Sequence, residues 1–320
     1  MSKELSCEDT WELLQTKKNF IIVSHIGPDG DTTGSTLALA EALRQVGKNV
    51  TVMVDDKVGS NLQFVPGVDS YVRPQAGTDY PADLLIVVDA SSIDRIGIVR
   101  ECVKAPILNI DHHISNTRYA DYLWLNAKAA AVGQMIYELV KVMHVKMTLT
   151  MATCIYVAIV TDCGYFKYSN TTPDCMRVAA DLVEFGVEPN LISDYVEMKS
   201  KAVMEMLPKV LATMQFWAEN KIATIEISNA IYDEDVSTES FISYPRYIDG
   251  VEVAVMFKEV EKSVTRVSMR SRSLDVSEVA LLFNGGGHQK AAGCTINKPL
   301  GEAKKLLLNQ IIKEVQGAKC

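Results

Sequence analysis

The sequence predicts an α/β protein with a parallel-sheet N-terminal domain (residues 1–190), a helical linker (191–220) and a smaller mixed α/β C-terminal domain (221–320). Three observations predict this. Apolar runs at Phe20-Ile21-Ile22-Val23, Leu84-Leu85-Ile86-Val87-Val88 and Ile107-Leu108-Asn109-Ile110 have the composition of strands covered on both faces of a parallel sheet. Helical stretches separate these runs, as parallel crossovers require. Past residue 220 the pattern changes to strands that alternate apolar and polar residues.

Strands are expected near residues 20–25, 49–54, 84–89 and 107–111, with helices near 34–46, 130–143 and 151–160. Three of the strands run into His25, Asp89 and Asp111, and ligands in open α/β sheets sit beyond the carboxyl ends of strands. The turn-rich Gly27-Pro28-Asp29-Gly30-Asp31 adds two carboxylates, and Ile159-Val160-Thr161-Asp162 adds another after a helical stretch. Asp111-His112-His113 is the most informative segment, because it places two of only five histidines directly on a strand end. Unpaired buried carboxylates are costly, so such a cluster calls for compensating positive charge. His144 belongs to no motif and reads as a helix-end residue. The pattern breaks around Phe185-Gly186-Val187-Glu188-Pro189-Asn190, and a connector follows.

In the second domain, strands are expected over 222–227, 251–257 and 264–270. The last should turn Val267 and Met269 to one face and Arg266, Ser268, Arg270 and Arg272 to the other. With Gly285-Gly286-Gly287-His288 close in sequence, this cationic row is expected to clamp phosphate. The glycines would let backbone amides approach the phosphate, and His288 would contact it.

Composition narrows the function. The chain has 320 residues, 48% of them apolar, which suffices for two cores. No apolar run approaches the length of a membrane span, and the N-terminus mixes charges from its start, so a cytoplasmic protein without membrane contact is expected. Seven cysteines without a C-x-x-C pair suggest neither a zinc ribbon nor a disulfide framework. A net charge of −8 argues against a long nucleic-acid track and for short, phosphate-rich substrates.

Taken together, His25-x-x-x-Asp29-x-Asp31, Asp89, Asp111-His112-His113 and Asp162 resemble the four motifs of the DHH phosphoesterases. Gly285-Gly286-Gly287-His288-x-x-Ala291-Ala292-Gly293 resembles the signature of the domain that follows DHH in the RecJ-like branch. The resemblance implies two divalent ions, Mn²⁺ first, with Mg²⁺ or Co²⁺ also suited to a His/Asp donor set. It implies that His25, Asp29 and Asp89 hold one ion, and that Asp31, Asp89, His112 and Asp162 hold the other. His113 would address the substrate phosphate, and Asp111 would orient the imidazoles. Arg270, Arg272, Gly285, Gly286, Gly287 and His288 would bind substrate. Cys163 stands where the family would place threonine, and a thiol there raises the expectation of sensitivity to oxidation.

The glycine-rich domain separates the chain from pyrophosphatases that share the metal motifs. Its length leaves no room for the extra DNA-binding parts of RecJ exonucleases. The chain is similar to the stand-alone NrnA-type branch, which degrades short RNA oligomers and dephosphorylates 3′-phosphoadenosine 5′-phosphate (pAp). A stand-alone cyclic-di-AMP or pApA phosphodiesterase is the alternative, and an inactive nucleotide-binding module is a third reading. The expected partners are short RNA oligonucleotides, pAp or dinucleotides such as pApA, and the family also admits a homodimer.

Overall fold

The computed structural model describes residues 2–232, 236 and 238–317. The chain divides into two compact units, Met1–Met198 and Lys199–Cys320. The first unit runs β1 (Lys3–Glu4), α1 (Cys7–Gln15), β2 (Asn19–Val23), α2 (Gly30–Gln45), β3 (Asn49–Met53), β4 (Tyr71–Val72), β5 (Leu84–Val88), α3 (Val99–Cys102), β6 (Ile107–Asp111), β7 (Tyr122–Leu125), α4 (Val132–Val142), α5 (Leu149–Asp162), α6 (Pro173–Glu184) and α7 (Pro189–Glu197).

Among the described residues, its strands form one sheet in the order β1-β7-β6-β5-β2-β3-β4, with every pairing parallel. The chain order reverses between β2 and β5: β3 and β4 extend one way, β6 and β7 the other. That reversal opens a crevice at the carboxyl ends of the central strands, where open α/β sheets bind ligands. Both faces of these strands are buried. Ile22, Ile86 and Val88 pack with α2, α4 and α5, while Ile21, Val23, Leu85 and Val87 pack with Ile96, Val99 and Cys102. Two-sided burial is why the runs are apolar throughout.

Helix α2 begins at Gly30, four residues before the expected Gly34. The glycine and proline just upstream read as a turn, but Asp29 caps the helix by accepting from Thr32 N at 3.0 Å. Close packing of α2 on α5 then needs small residues. A Cβ on Gly34 would lie 2.1 Å from the Cys154 carbonyl oxygen, and one on Gly30 would strike the Thr161 side chain. Gly133 does the same for α4, where a Cβ would lie 2.5 Å from Ala158 Cβ. These contacts bring the start of α2, the start of α4 and the end of α5 together.

Residues 191–220, expected as a helical linker, hold most of α7 and then the first elements of the second unit. Ile192 buries in the first core, and Val203, Met206, Leu207 and Val210 bury in the second unit. That unit runs α8 (Lys201–Leu211), β8 (Gln215–Trp217), β9 (Ile222–Ile227), α9 (Ser243–Arg246), β10 (Val253–Glu261), β11 (Val264–Ser271), α10 (Val276–Leu281), β12 (Gly286–His288), β13 (Ala291–Ile296) and α11 (Leu300–Gly317). Its mixed sheet has the order β12-β13-β11-β10-β9-β8. Helices α10 and α11 cover one face through Val253, Val255, Phe257, Val267, Met269 and Ala292. On the other face, α8, Phe241 and Ile242 cover β9 and β10.

Candidate metal centre

The strand ends deliver the side chains named by the sequence to one place. His25 follows β2, Asp89 follows β5, and His112 and His113 follow β6. Asp89 takes a left-handed backbone, φ 58°, which is uncommon outside glycine and clusters at functional sites. Asp29 and Asp31 sit at the start of α2, and Asp162 is the last residue of α5.

His25 Nε2 lies 3.6 Å from both Asp29 Oδ2 and Asp89 Oδ2. His112 Nε2 lies 3.6 Å from Asp89 Oδ1, 3.8 Å from Asp162 Oδ2 and 3.9 Å from Asp31 Oδ2. The clusters His25–Asp29–Asp89 and Asp31–His112–Asp162 each gather three donor atoms within 4.8 Å of one another, and a third cluster joins Asp89 to His112 and His113. Asp89 Oδ1 is buried and has no hydrogen-bond partner among the described residues. An orphaned carboxylate oxygen is expensive in the apolar interior, and a cation between these donors would satisfy it.

The surrounding hydrogen bonds fix each group. Asp31 Oδ2 accepts from Val132 N at 2.7 Å, while its Oδ1 accepts from Gly133 N and Ser35 Oγ, both at 2.9 Å. The carboxylate thus sits on the N-terminus of α4, where the helix dipole favours negative charge. His25 Nδ1 lies 2.9 Å from the Ile26 carbonyl, and His112 Nδ1 lies 3.1 Å from the Ala129 carbonyl. Both bonds orient Nε2 toward the carboxylates. Asp111 is fully buried; its Oδ1 meets His113 Nδ1 at 2.7 Å and accepts from His112 N at 2.9 Å.

Four supporting residues carry no direct mark in the sequence. Asn116 Nδ2 donates to Asp111 Oδ2 and to Asn109 Oδ1, and Asn109 Nδ2 donates to the Val87 carbonyl at 3.1 Å. Asn170 Nδ2 reaches Asp162 Oδ2 at 3.3 Å, and Arg95 Nη2 lies 3.1 Å from His25 Nδ1. Only Asn109 left a trace, as the polar interruption of an apolar run. Cys163 is buried, and its Sγ accepts from Phe166 N at 3.3 Å. Neighbouring Cys175 and burial push its thiol up, so it stays protonated. His144 ends α4, with its amide on the Lys141 carbonyl and φ 54°.

Crowded carboxylates hold protons in this cluster. Burial opposes charge on His25, but Asp29 and Asp89 outweigh it and raise its pKa to about 10. For His112, Asp31, Asp89 and Asp162 overcome burial and raise it to about 9. Burial first, then Asp89 and Asp29, raise Asp162 to about 7. A folded-state pKa above the unfolded value favours folding at low pH and fades as pH rises through it. Metal-stripped protein is therefore expected to lose thermal stability from about pH 4, through the ionisation of Asp162, up to about pH 10, where His25 gives up its proton. Calorimetry in EDTA at stepped pH checks this, and a flat Tm over that window would contradict it.

In the second unit, β11 alternates as expected, with Val267 and Met269 buried and Arg266, Ser268 and Arg270 on the opposite face. Arg272 does not join that row. The strand ends at Ser271, and Arg272 Nη2 donates instead to the Ile248 carbonyl at 3.2 Å. Register sets Arg270 opposite Ala291 and Ala291 opposite His288, with Ser268, Gly293 and Gly286 forming the next row. The result is a strip without side chains beside Arg270 and His288. A depression of about 550 Å³ adjoins it, lined in part by Arg266, Ser268, Asn284, Gly285 and Thr295. Of the three glycines 285–287, only Gly286 faces open space. A Cβ on Gly285 would strike the Gly293 carbonyl at 2.2 Å, and one on Gly287 the Ala291 carbonyl at 2.5 Å, so strand pairing itself requires both glycines.

Residues 19–159 match the family model described as the DHH family, N-terminal domain, and residues 222–317 match the DHHA1 domain. The bifunctional oligoribonuclease and PAP phosphatase NrnA of Thermus thermophilus is 32% identical over 300 residues, covering 93% of this chain and 90% of its own. The protein of the same name from Bacillus subtilis is 28% identical, with 86% and 88% covered. An exopolyphosphatase-related protein from Bacteroides fragilis shares the fold at a TM-score of 0.86 and 22% identity, covering 98% of this chain and 96% of its own. RecJ from Thermus thermophilus, solved in complex with Mn²⁺, matches at a TM-score of 0.58 and 15% identity, with 96% of this chain and 54% of RecJ covered.

Proposed function

Because the chain belongs to the DHH family and carries a following DHHA1 domain, we propose that it is a cytoplasmic metal-dependent phosphoesterase. Its substrates on this reading are short oligoribonucleotides, cut to mononucleotides, and pAp, dephosphorylated to AMP. One observation carries the reading: the orphaned, buried Asp89 oxygen among imidazoles and carboxylates. The names and near-complete coverage of the two NrnA relatives support the substrate class.

His25, Asp29 and Asp89 would hold one divalent ion, and Asp31, Asp89, His112 and Asp162 the other. Nitrogen and oxygen donors without a thiolate suit Mn²⁺ best, with Mg²⁺ or Co²⁺ as alternatives. When bound, such a pair of ions activates water and neutralises charge on the phosphoryl oxygens. The protein's own groups do the rest. Asp111 holds His113 through Nδ1, so contact between His113 and a substrate phosphate runs through Nε2. Asp111 bonds the amides of both histidines and so sets their geometry together. In the second unit, Arg270 and His288, beside the Gly286–Gly293 strip, would grip a phosphate or nucleotide, and charge-assisted bonds are the strong ones for that purpose. Gly285 and Gly287 would serve this grip by holding β12 against β13. Arg272 would contribute beside Ile248 rather than on the strand face.

Paired variants test these roles. His112→Ala should lose Mn²⁺ affinity and turnover together, whereas His113→Ala should keep both ions and lose mainly kcat. Metal content by mass spectrometry, beside steady-state kinetics on pAp and a pentaribonucleotide, checks the split. Full occupancy in both variants, or loss in both, would refute the division.

A further inference from the structure

The segment before β10 is built to display aromatic rings. Phe241 and Ile242 are 0% and 3% exposed, and Pro245 is buried, so they pin α9 onto the sheet. Around these anchors the chain turns Tyr244 and Tyr247 outward, 44% and 65% exposed. Burying apolar area explains the anchors, and the two displayed rings add little to it. The Arg246 guanidinium carbon lies 6.0 Å from the Tyr247 ring centroid, within cation–π range. Arg272 ties its guanidinium to the Ile248 carbonyl, which adds a second cation at the end of the same turn.

Register fixes where this display stands. Arg270 pairs with Ala254, so the Arg266–Ser268–Arg270 row shares the sheet face of Ala254 and Met256, the face on which Phe241 and Ile242 pack. The turn after α9 reaches the end of β11 that carries Arg270, because Arg272 bonds the Ile248 carbonyl next to Tyr247, and the same face of that strand leads through Arg270 to Ala291, His288 and the glycine strip. In a chain of net charge −8, four arginines (Arg266 and Arg270 on β11, Arg246 and Arg272 at the neighbouring turn) and two exposed rings match single-stranded nucleic acid. Such ligands pair phosphates with cations and stack bases on aromatic faces.

We propose that Tyr244 and Tyr247 form a base-stacking platform for a short single-stranded oligoribonucleotide, receiving a nucleotide next to the one gripped by Arg270 and His288. The proposal rests on the oligonucleotide reading above and adds a source of preference for oligomers over pAp, whose one base leaves none for a second stacking position. Stacking tolerates any base, so the platform discriminates by length and not by sequence.

The test uses the full chain with two readouts. Anisotropy of a labelled pentaribonucleotide, measured in EDTA, reports binding without turnover. Kinetics with Mn²⁺ give KM for the unlabelled pentamer and for pAp. The double variant Tyr244→Ala, Tyr247→Ala should weaken pentamer binding about tenfold and raise the ratio of the two KM values similarly. The double phenylalanine variant keeps both rings and should restore each value, which separates stacking from loss of fold. Pentamer binding indifferent to the tyrosines, or KM raised equally for both substrates, would overturn the platform. So would wild-type protein that fails to bind the pentamer. Tyrosine-dependent binding without cleavage of either substrate would overturn the catalytic reading and leave the platform standing.

Discussion

Asp89→Ala is expected to lower turnover by about a thousandfold or more while leaving the metal-free fold intact. Among the described residues Asp89 is the one carboxylate within 3.6 Å of both His25 and His112, so both candidate ion sites lose a donor at once. The same side chain is a liability without metal, because its Oδ1 is buried with no hydrogen-bond partner among the described residues. Alanine removes that cost. Two observables should therefore move in opposite directions. In EDTA, at a pH above about 10 where the His25 and His112 imidazoles no longer carry the charge that Asp89 favours, the variant should unfold at the wild-type temperature or above it. In Mn²⁺ it should lose the stabilisation that ligand binding gives the native state. Thermal scans with and without metal, beside kinetics on pAp, check both; near-wild-type turnover in saturating Mn²⁺ would refute the assignment.

Gly34→Ala is expected to be the most damaging single methyl group in the first unit. Its Cβ would meet the Cys154 carbonyl oxygen at 2.1 Å and Ala158 N at 3.1 Å, and backbone cannot swing aside as a flexible side chain can. Overpacking a core in this way costs about 1–3 kcal/mol or more. The lesion should also reach the metal centre, because α2 carries Asp31 and α5 carries Asp162. A drop in Tm together with weaker Mn²⁺ binding is expected, and calorimetry measures both. Unchanged stability would mean that the helices separate at no cost.

What the sequence revealed follows from what each residue had to satisfy. Strands β2, β5 and β6 were legible because burial on both faces forces apolar runs, and their polar end residues stand out. The start of α2 was hidden because Gly27-Pro28-Asp29-Gly30 looks like a turn, although Asp29 caps a helix there and Gly30 is needed for packing against Thr161. Asn116 sits in a connection 5 and 7 residues from Asp111 and Asn109, and Asn170 sits 8 residues from Asp162; no periodicity marks such contacts. Alternation correctly separated Arg266 and Arg270 from Val267 and Met269, but it could not show where β11 stops. Arg272 falls past that stop and belongs to the turn at Ile248. At Gly285 and Gly287 the spacing pointed to phosphate, whereas the close approach of β13 already requires glycine at both.

The most direct measurement is release of mononucleotides from a pentaribonucleotide by protein stripped of metal and then titrated with Mn²⁺. The account predicts no release in EDTA, and release that rises with Mn²⁺ and saturates as two ions bind per chain. Release undiminished by EDTA, or none at saturating Mn²⁺ with both sites filled, would contradict it.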